Sequence, residues 1–230
     1  MAYPGLFPWL QSLNALAGGF FLLCAFGLVA VRQAQNCLRL FVAQSLFLCL
    51  SAFMLGILLH SSDLIVVGVI DFISKPVLIP WLLRRTVGGE VHTRREITQV
   101  FNIPTSLLIA LALTIGAYLF AMPLLRAGNA GELIGSNLPI GLAGLFIGAF
   151  AMAVRREAVP MVLALISMEN SAFFAGIAIA PDFPLIAEVS IAFDVLILTF
   201  LVGLLTRAVH QQIGTTAVGE LTELREANKS

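Results

Sequence analysis

The stretch Leu64–Arg85, LIVVGVIDFISKPVLIPWLLRR, decides the fold. Positions 64–83 are almost wholly apolar and end at the paired Arg84 and Arg85. A hydrocarbon core about 30 Å thick takes around 20 residues of α-helix, and this run is long enough to cross it. It does not alternate with a period of two, so it reads as a helix rather than a barrel strand. Two charges, Asp71 and Lys75, sit near its middle, and Pro76 and Pro80 follow.

Six further runs repeat the pattern, at roughly 11–31, 39–60, 104–125, 138–154, 158–180 and 184–209. The expectation is an all-α polytopic membrane protein with seven transmembrane helices. The punctuation agrees. Pro104 and Pro139 sit in first helical turns, where the missing N–H costs nothing. Pro181-Asp182-Phe183-Pro184 makes a tight turn, and the Gly- and Asn-containing segment 126–137 reads as a loop.

Composition narrows the class. Of 230 residues, 59% are hydrophobic and 11% charged, where a soluble domain carries about 25% charge. The mean hydropathy of +0.98 leaves too little polar surface to coat a water-facing globule. Lys plus Arg equals Asp plus Glu at 13 each, which argues against nucleic-acid binding. So rich an aliphatic content excludes disorder. The first ten residues hold no Lys or Arg, so no signal-peptide n-region is expected.

The positive charges set an expected direction. Arg32 and Arg39, Arg84, Arg85, Arg94 and Arg95, Arg155 and Arg156, and Arg207, Arg225 and Lys229 all fall on one side. Arg126 alone falls on the other. The N-terminus is therefore expected outside and the C-terminus in the cytoplasm, in a multi-pass protein of the inner (cytoplasmic) membrane.

Ionisable groups inside a bilayer are costly and mark candidate functional positions. Asp71 and Lys75, four apart, share one helix face. They form either an internal neutralising pair or part of a proton or ion relay. Pro76 removes a backbone hydrogen bond beside them. Glu169 lies in LISMENS, residues 165–171, near the centre of its run, and Asp194 in AFDV, residues 192–195, near the centre of the last. Glu188 is closer to that helix's outer end. Each carboxylate reads as a relay member or as interhelical hydrogen-bonding glue. Gly141, Gly144 and Gly148 give the fifth run a small-residue face for close helix packing.

Other chemistries find no foothold. Cys24, Cys37 and Cys49 lie in or beside apolar runs and read as small buried hydrophobes. No metal-ligand or cofactor spacing is present, so no metal and no cofactor is expected. The last run has no Lys for a retinal Schiff base. No nucleotide loop, Ser/His/Asp arrangement or selectivity filter occurs.

The last three runs, with their Gly-rich helix, Val154-Arg155-Arg156-Glu157, Met161, the Glu169-Asn170 pair and a following midplane acid, resemble the small three-helix NuoK-type subunit of respiratory complex I. The whole chain resembles the HyfE family, membrane subunits of hydrogenase 4 and formate hydrogenlyase-type complexes. KPVLIPWLLRR at 75–85 is similar to that family's end of span three. Leu165 to Phe173 is similar to its Leu-Glu-Asn-Gly stretch, with Met168 and Ser171 as departures. The tail segment 219–224 is also similar. In the complex I relative the key Glu stands four residues before the Asn. Here that position is Ile166 and the acid is Glu169, on roughly the same face and about 4.5 Å along the axis. Asp194 stands where the relative has a second Glu.

The resemblance implies an organisation of residues 1–137 as a four-helix part, 138–210 as a NuoK-like three-helix part and 211–230 as a cytoplasmic tail. It also implies a role. The chain would be a non-catalytic subunit with no activity alone, in an energy-converting oxidoreductase complex, linking a NiFe hydrogenase-like or complex I-like redox arm to antiporter-like subunits. Glu169, Asp194, Lys75 and Asp71 would be the proton-relay (or sodium-relay) residues, with Asn170, Arg155, Arg156 and Glu188 in support. The alternatives are a structural adaptor that docks through its glycine face, and a component of a redox-independent cation/proton antiporter.

Overall fold

The computed structural model describes residues 7–92, 101–127 and 137–179, with the single positions 200 and 203. The described elements are α1 (Phe7–Ala30), α2 (Ala34–Leu58), α3 (Ser62–Ile73), a π-helical segment (Ser74–Leu78), α4 (Ile79–His92), α5 (Ile103–Ala127), α6 (Asn137–Val154) and α7 (Ala158–Ile179). No β-strand occurs among the described residues. Six helical stretches are long and apolar enough to cross a membrane, with α3, the π segment and the start of α4 acting as one rod over Ser62–Arg85. The expected seventh run at 184–209 lies outside the described residues, apart from positions 200 and 203. So do Arg94, Arg95, Arg207, Arg225, Lys229 and the tail segment 219–224.

Local chemistry sets the ends. Pro104 and Pro139 stand in the first turns of α5 and α6, where an N–H has no intrahelical acceptor. The α2–α3 turn is a Schellman closure. The Ser61 N–H donates to the Gly56 carbonyl at 3.0 Å, and the His60 N–H to the Ile57 carbonyl at 3.4 Å. His60 adopts the left-handed conformation, φ 52°, that this motif requires. The Ser61 hydroxyl then accepts from the Leu64 N–H at 3.4 Å and caps α3.

Pro76 stands at the centre of the π segment. Proline lacks the N–H for an α-helical bond and crowds the carbonyl four residues back. Widening to i→i+5 bonding answers both problems, and the Ile79 N–H accordingly donates to the Ser74 carbonyl. The helix thus passes Pro76 and Pro80 without breaking.

The helices form antiparallel neighbours. α1 packs along α2, α6 along α7, and α5 on α6 and α1. α2 also touches α7 and the α3–π–α4 rod. The α6–α7 contact is the closest. A Cβ on Gly141 would stand 2.7 Å from the Ala175 Cα, one on Gly144 2.5 Å from the Ser171 Oγ, and one on Gly148 2.9 Å from the Met168 Cα. Glycine lets the backbones meet at those heights.

Apolar layers close both ends of the bundle. Leu28, Phe41, Ile79, Leu83, Leu163 and Ile166 cluster toward the α1 C-terminus. Leu55, Leu58, Leu64 and Ile177 cluster toward the opposite end. Residues on both sides of position 137 contribute to each. Among the described arginines, Arg32, Arg39, Arg84, Arg85, Arg155 and Arg156 gather at the first end, and Arg126 at the second.

Candidate functional site

Between those apolar layers lies a buried ion-pair cluster. Asp71 is on the last turn of α3, Lys75 on the π segment and Glu169 near the middle of α7. The Lys75 Nζ stands 3.2 Å from the Asp71 carboxylate and 3.0 Å from the Glu169 Oε1. It also lies 5.5 Å from the centroid of the Phe173 ring, a cation–π distance. The Lys75 side chain is 2% exposed and the Glu169 side chain 20%.

Asp71 and Lys75 meet because they are one turn apart, as their spacing predicts. Glu169 is 94 residues away and arrives because α7 and the rod both pack on α2. The charge count is the chemical point. One ammonium faces two carboxylates, so with all three ionised the cluster carries one net negative charge. One proton balances it. Lys75 is bonded to both acceptors at nearly equal distance, so a proton landing on either carboxylate leaves the ammonium paired with the other.

Polar residues continue from this cluster across the bundle. The Asn170 Nδ2 donates to the Ser45 Oγ of α2 at 3.0 Å. The Ser171 hydroxyl donates to the Ser167 carbonyl at 2.8 Å. Gln44, Ser45, Ser167, Asn170 and Ser171 are all buried.

The other expected site residues fall elsewhere. Arg155 is buried at the arginine-rich end, not beside the cluster. Its Nη1 donates to the Cys37 Sγ at 3.0 Å, and its Nη2 to the Leu28 carbonyl. That carbonyl is among the last four of α1, which have no intrahelical donor, so Arg155 caps a helix C-terminus. Glu169 stands eleven residues into α7, about 16 Å along its axis from that end. Arg156 is exposed. Asp194 and Glu188 lie outside the described residues. Gly141, Gly144 and Gly148 face α7 within the same chain.

Two polar features were not anticipated. Toward the end bearing Arg126, the Ser51 hydroxyl donates to the Asn14 Oδ1 at 2.6 Å, the Asn14 Nδ2 to the Asn137 Oδ1 at 3.1 Å, and the Asn137 Nδ2 to the Ser51 Oγ at 3.5 Å. This closed triangle ties α1, α2 and α6. The second is Gln44, fully buried on α2. A signal for it existed: Cys37, Gln44 and Ser51 recur every seven residues and so line one face of α2.

Comparison with known proteins adds one relative. No family model matches the chain, and no solved structure does. The chain is 29% identical over 210 residues to Uncharacterized protein Rv0085 of Mycobacterium tuberculosis, across 91% of this chain and 94% of that one.

Proposed function

We propose that this chain is a non-catalytic integral subunit of a hydrogenase 4-like or complex I-like assembly in the cytoplasmic membrane. Its part is to pass protons between neighbouring membrane subunits. The observation that carries the reading is Lys75 held between Asp71 and Glu169 at mid-depth. Buried ionisable groups at that depth serve relays or ion paths more often than packing. Apolar clusters lie above and below the charges, while the polar side chains continue sideways, from α3 through α7 to α2. Such a belt favours transfer in the membrane plane over transfer across it.

In this reading the N-terminus is outside, and the arginine-rich end faces the cytoplasm. A seventh helix over 184–209 would carry Asp194 at the depth of this belt, with Glu188 nearer its outer end. The redox centres would belong to partner subunits. Gly141, Gly144 and Gly148 pack against α7 within the chain, which supports this reading over an adaptor that docks through them.

The test has two steps. A tag on the C-terminus and a mild-detergent pull-down, read by mass spectrometry, should recover a NiFe hydrogenase-like or complex I-like large subunit together with antiporter-like subunits. The Glu169→Gln complex should then assemble and turn over its redox substrates with proton movement reduced. Normal pumping by that variant overturns the relay assignment. Repeated recovery of the chain alone overturns the subunit assignment.

A further inference from the structure

We infer that the middle of the bundle holds internal water between α2 and α7, in a site bounded by Gln44, Ser167 and Asn170. The inference does not depend on any redox partner. Four buried polar atoms carry it: Gln44 Nε2, Gln44 Oε1, Ser167 Oγ and Asn170 Oδ1 have no hydrogen-bond partner among the described residues. Leaving each buried amide or hydroxyl atom unbonded costs about 1–3 kcal/mol, so native interiors satisfy them.

These atoms share one level. Gln44 lies two residues from the middle of α2, about 3 Å along its axis. Ser167 and Asn170 lie within two residues of the middle of α7, again within about 3 Å. The two helices are tied at this level by the Asn170–Ser45 hydrogen bond.

The mixture of atoms selects the ligand. A metal cation is held by oxygen atoms, yet Gln44 offers an unpaired amide N–H₂. Water both donates and accepts, so it can bond the N–H₂ group, the amide oxygens and the hydroxyl.

The experiment uses the full chain in lipid nanodiscs. Infrared difference spectra are recorded on exchange into heavy-oxygen water. The wild type should show isotope-sensitive O–H bands of internal water. Gln44→Met and Ser167→Ala should each lose intensity there, and the exposed Ser12→Ala should not. Ser167→Ala removes only one hydroxyl and keeps the test open if Gln44→Met fails to fold. Superimposable spectra of the wild type and the folded variants overturn the inference. So does a rise in the wild-type melting temperature in sodium relative to choline at equal ionic strength, which would mark a cation site instead. Neither readout involves pumping, so failure here is separate from failure of the proposed function.

Discussion

Replacing Lys75 by Met should destabilise the fold more than replacing Glu169 by Gln, because Lys75 is the cation shared by two acids. In Lys75→Met both carboxylates remain in the bundle without their partner. Breaking a buried pair in this way costs about 3–5 kcal/mol. In Glu169→Gln the amide oxygen still accepts from Lys75, and the 3.2 Å pair with Asp71 is neutral by itself. The loss is then only the excess of a carboxylate over a neutral acceptor, less than the roughly 1.5–3 kcal/mol of a whole charge-assisted bond. A difference of about 2 kcal/mol corresponds to roughly 4–8 °C in melting temperature for a chain of this size. Removing the whole cluster, in Asp71→Leu/Lys75→Met/Glu169→Leu, should recover most of the loss, since apolar residues of similar volume replace buried ion pairs well. The assay is thermal unfolding in lipid nanodiscs, followed by circular dichroism. If Glu169→Gln melts as low as Lys75→Met, Lys75 is not the shared partner and the charge argument fails.

Three further perturbations test other parts of the bundle. Gly144→Leu should abolish or strongly reduce folded protein, because even its Cβ would stand 2.5 Å from the Ser171 Oγ and 3.2 Å from the Phe21 ring, whereas Gly19→Leu meets open space and should fold normally; size-exclusion profiles decide between them. Arg155→Met should lower stability by about 1–3 kcal/mol by stripping donors from the Leu28 carbonyl and Cys37, while Arg156→Met leaves the melting temperature unchanged. His60→Gly should raise stability by about 1 kcal/mol by relieving its positive φ, and an unchanged melting temperature would show that the turn carries no strain.

Much of the fold is legible in hydropathy alone. The runs at 138–154 and 158–180 meet α6 and α7 within a residue at each end. The run at 39–60 begins five residues late, since Gln35, Asn36 and Arg39 dilute the first turns of a helix that starts at Ala34. The i,i+4 pairing of Asp71 with Lys75 follows from spacing, because helix geometry alone brings them together. Its third member does not: Glu169 stands at the right depth in its own run, but nothing local says which helix it faces. The Asn14–Ser51–Asn137 triangle was harder still. Each is a single polar residue in a different run, and their convergence is a property of packing. The arginine pair at 155 and 156 looks uniform in sequence, yet one side chain caps α1 and the other faces out, a difference set in the short link between α6 and α7 by the reach of Arg155 to Leu28 and Cys37.

The order in which the cluster's members leave the ribosome gives Asp71 a task in biogenesis. At about 5–20 residues per second, the 94 residues between Lys75 and Glu169 take roughly 5–20 s to be made. During that interval the third span must enter the bilayer carrying an ammonium whose cross-helix acceptor does not yet exist. A lone Lys or Asp at a span centre costs about 2.5–3.5 kcal/mol in insertion. Asp71, one turn away on the same span, is a local chaperone for that charge. It lets Lys75 enter as half of a neutral pair and wait there for α7.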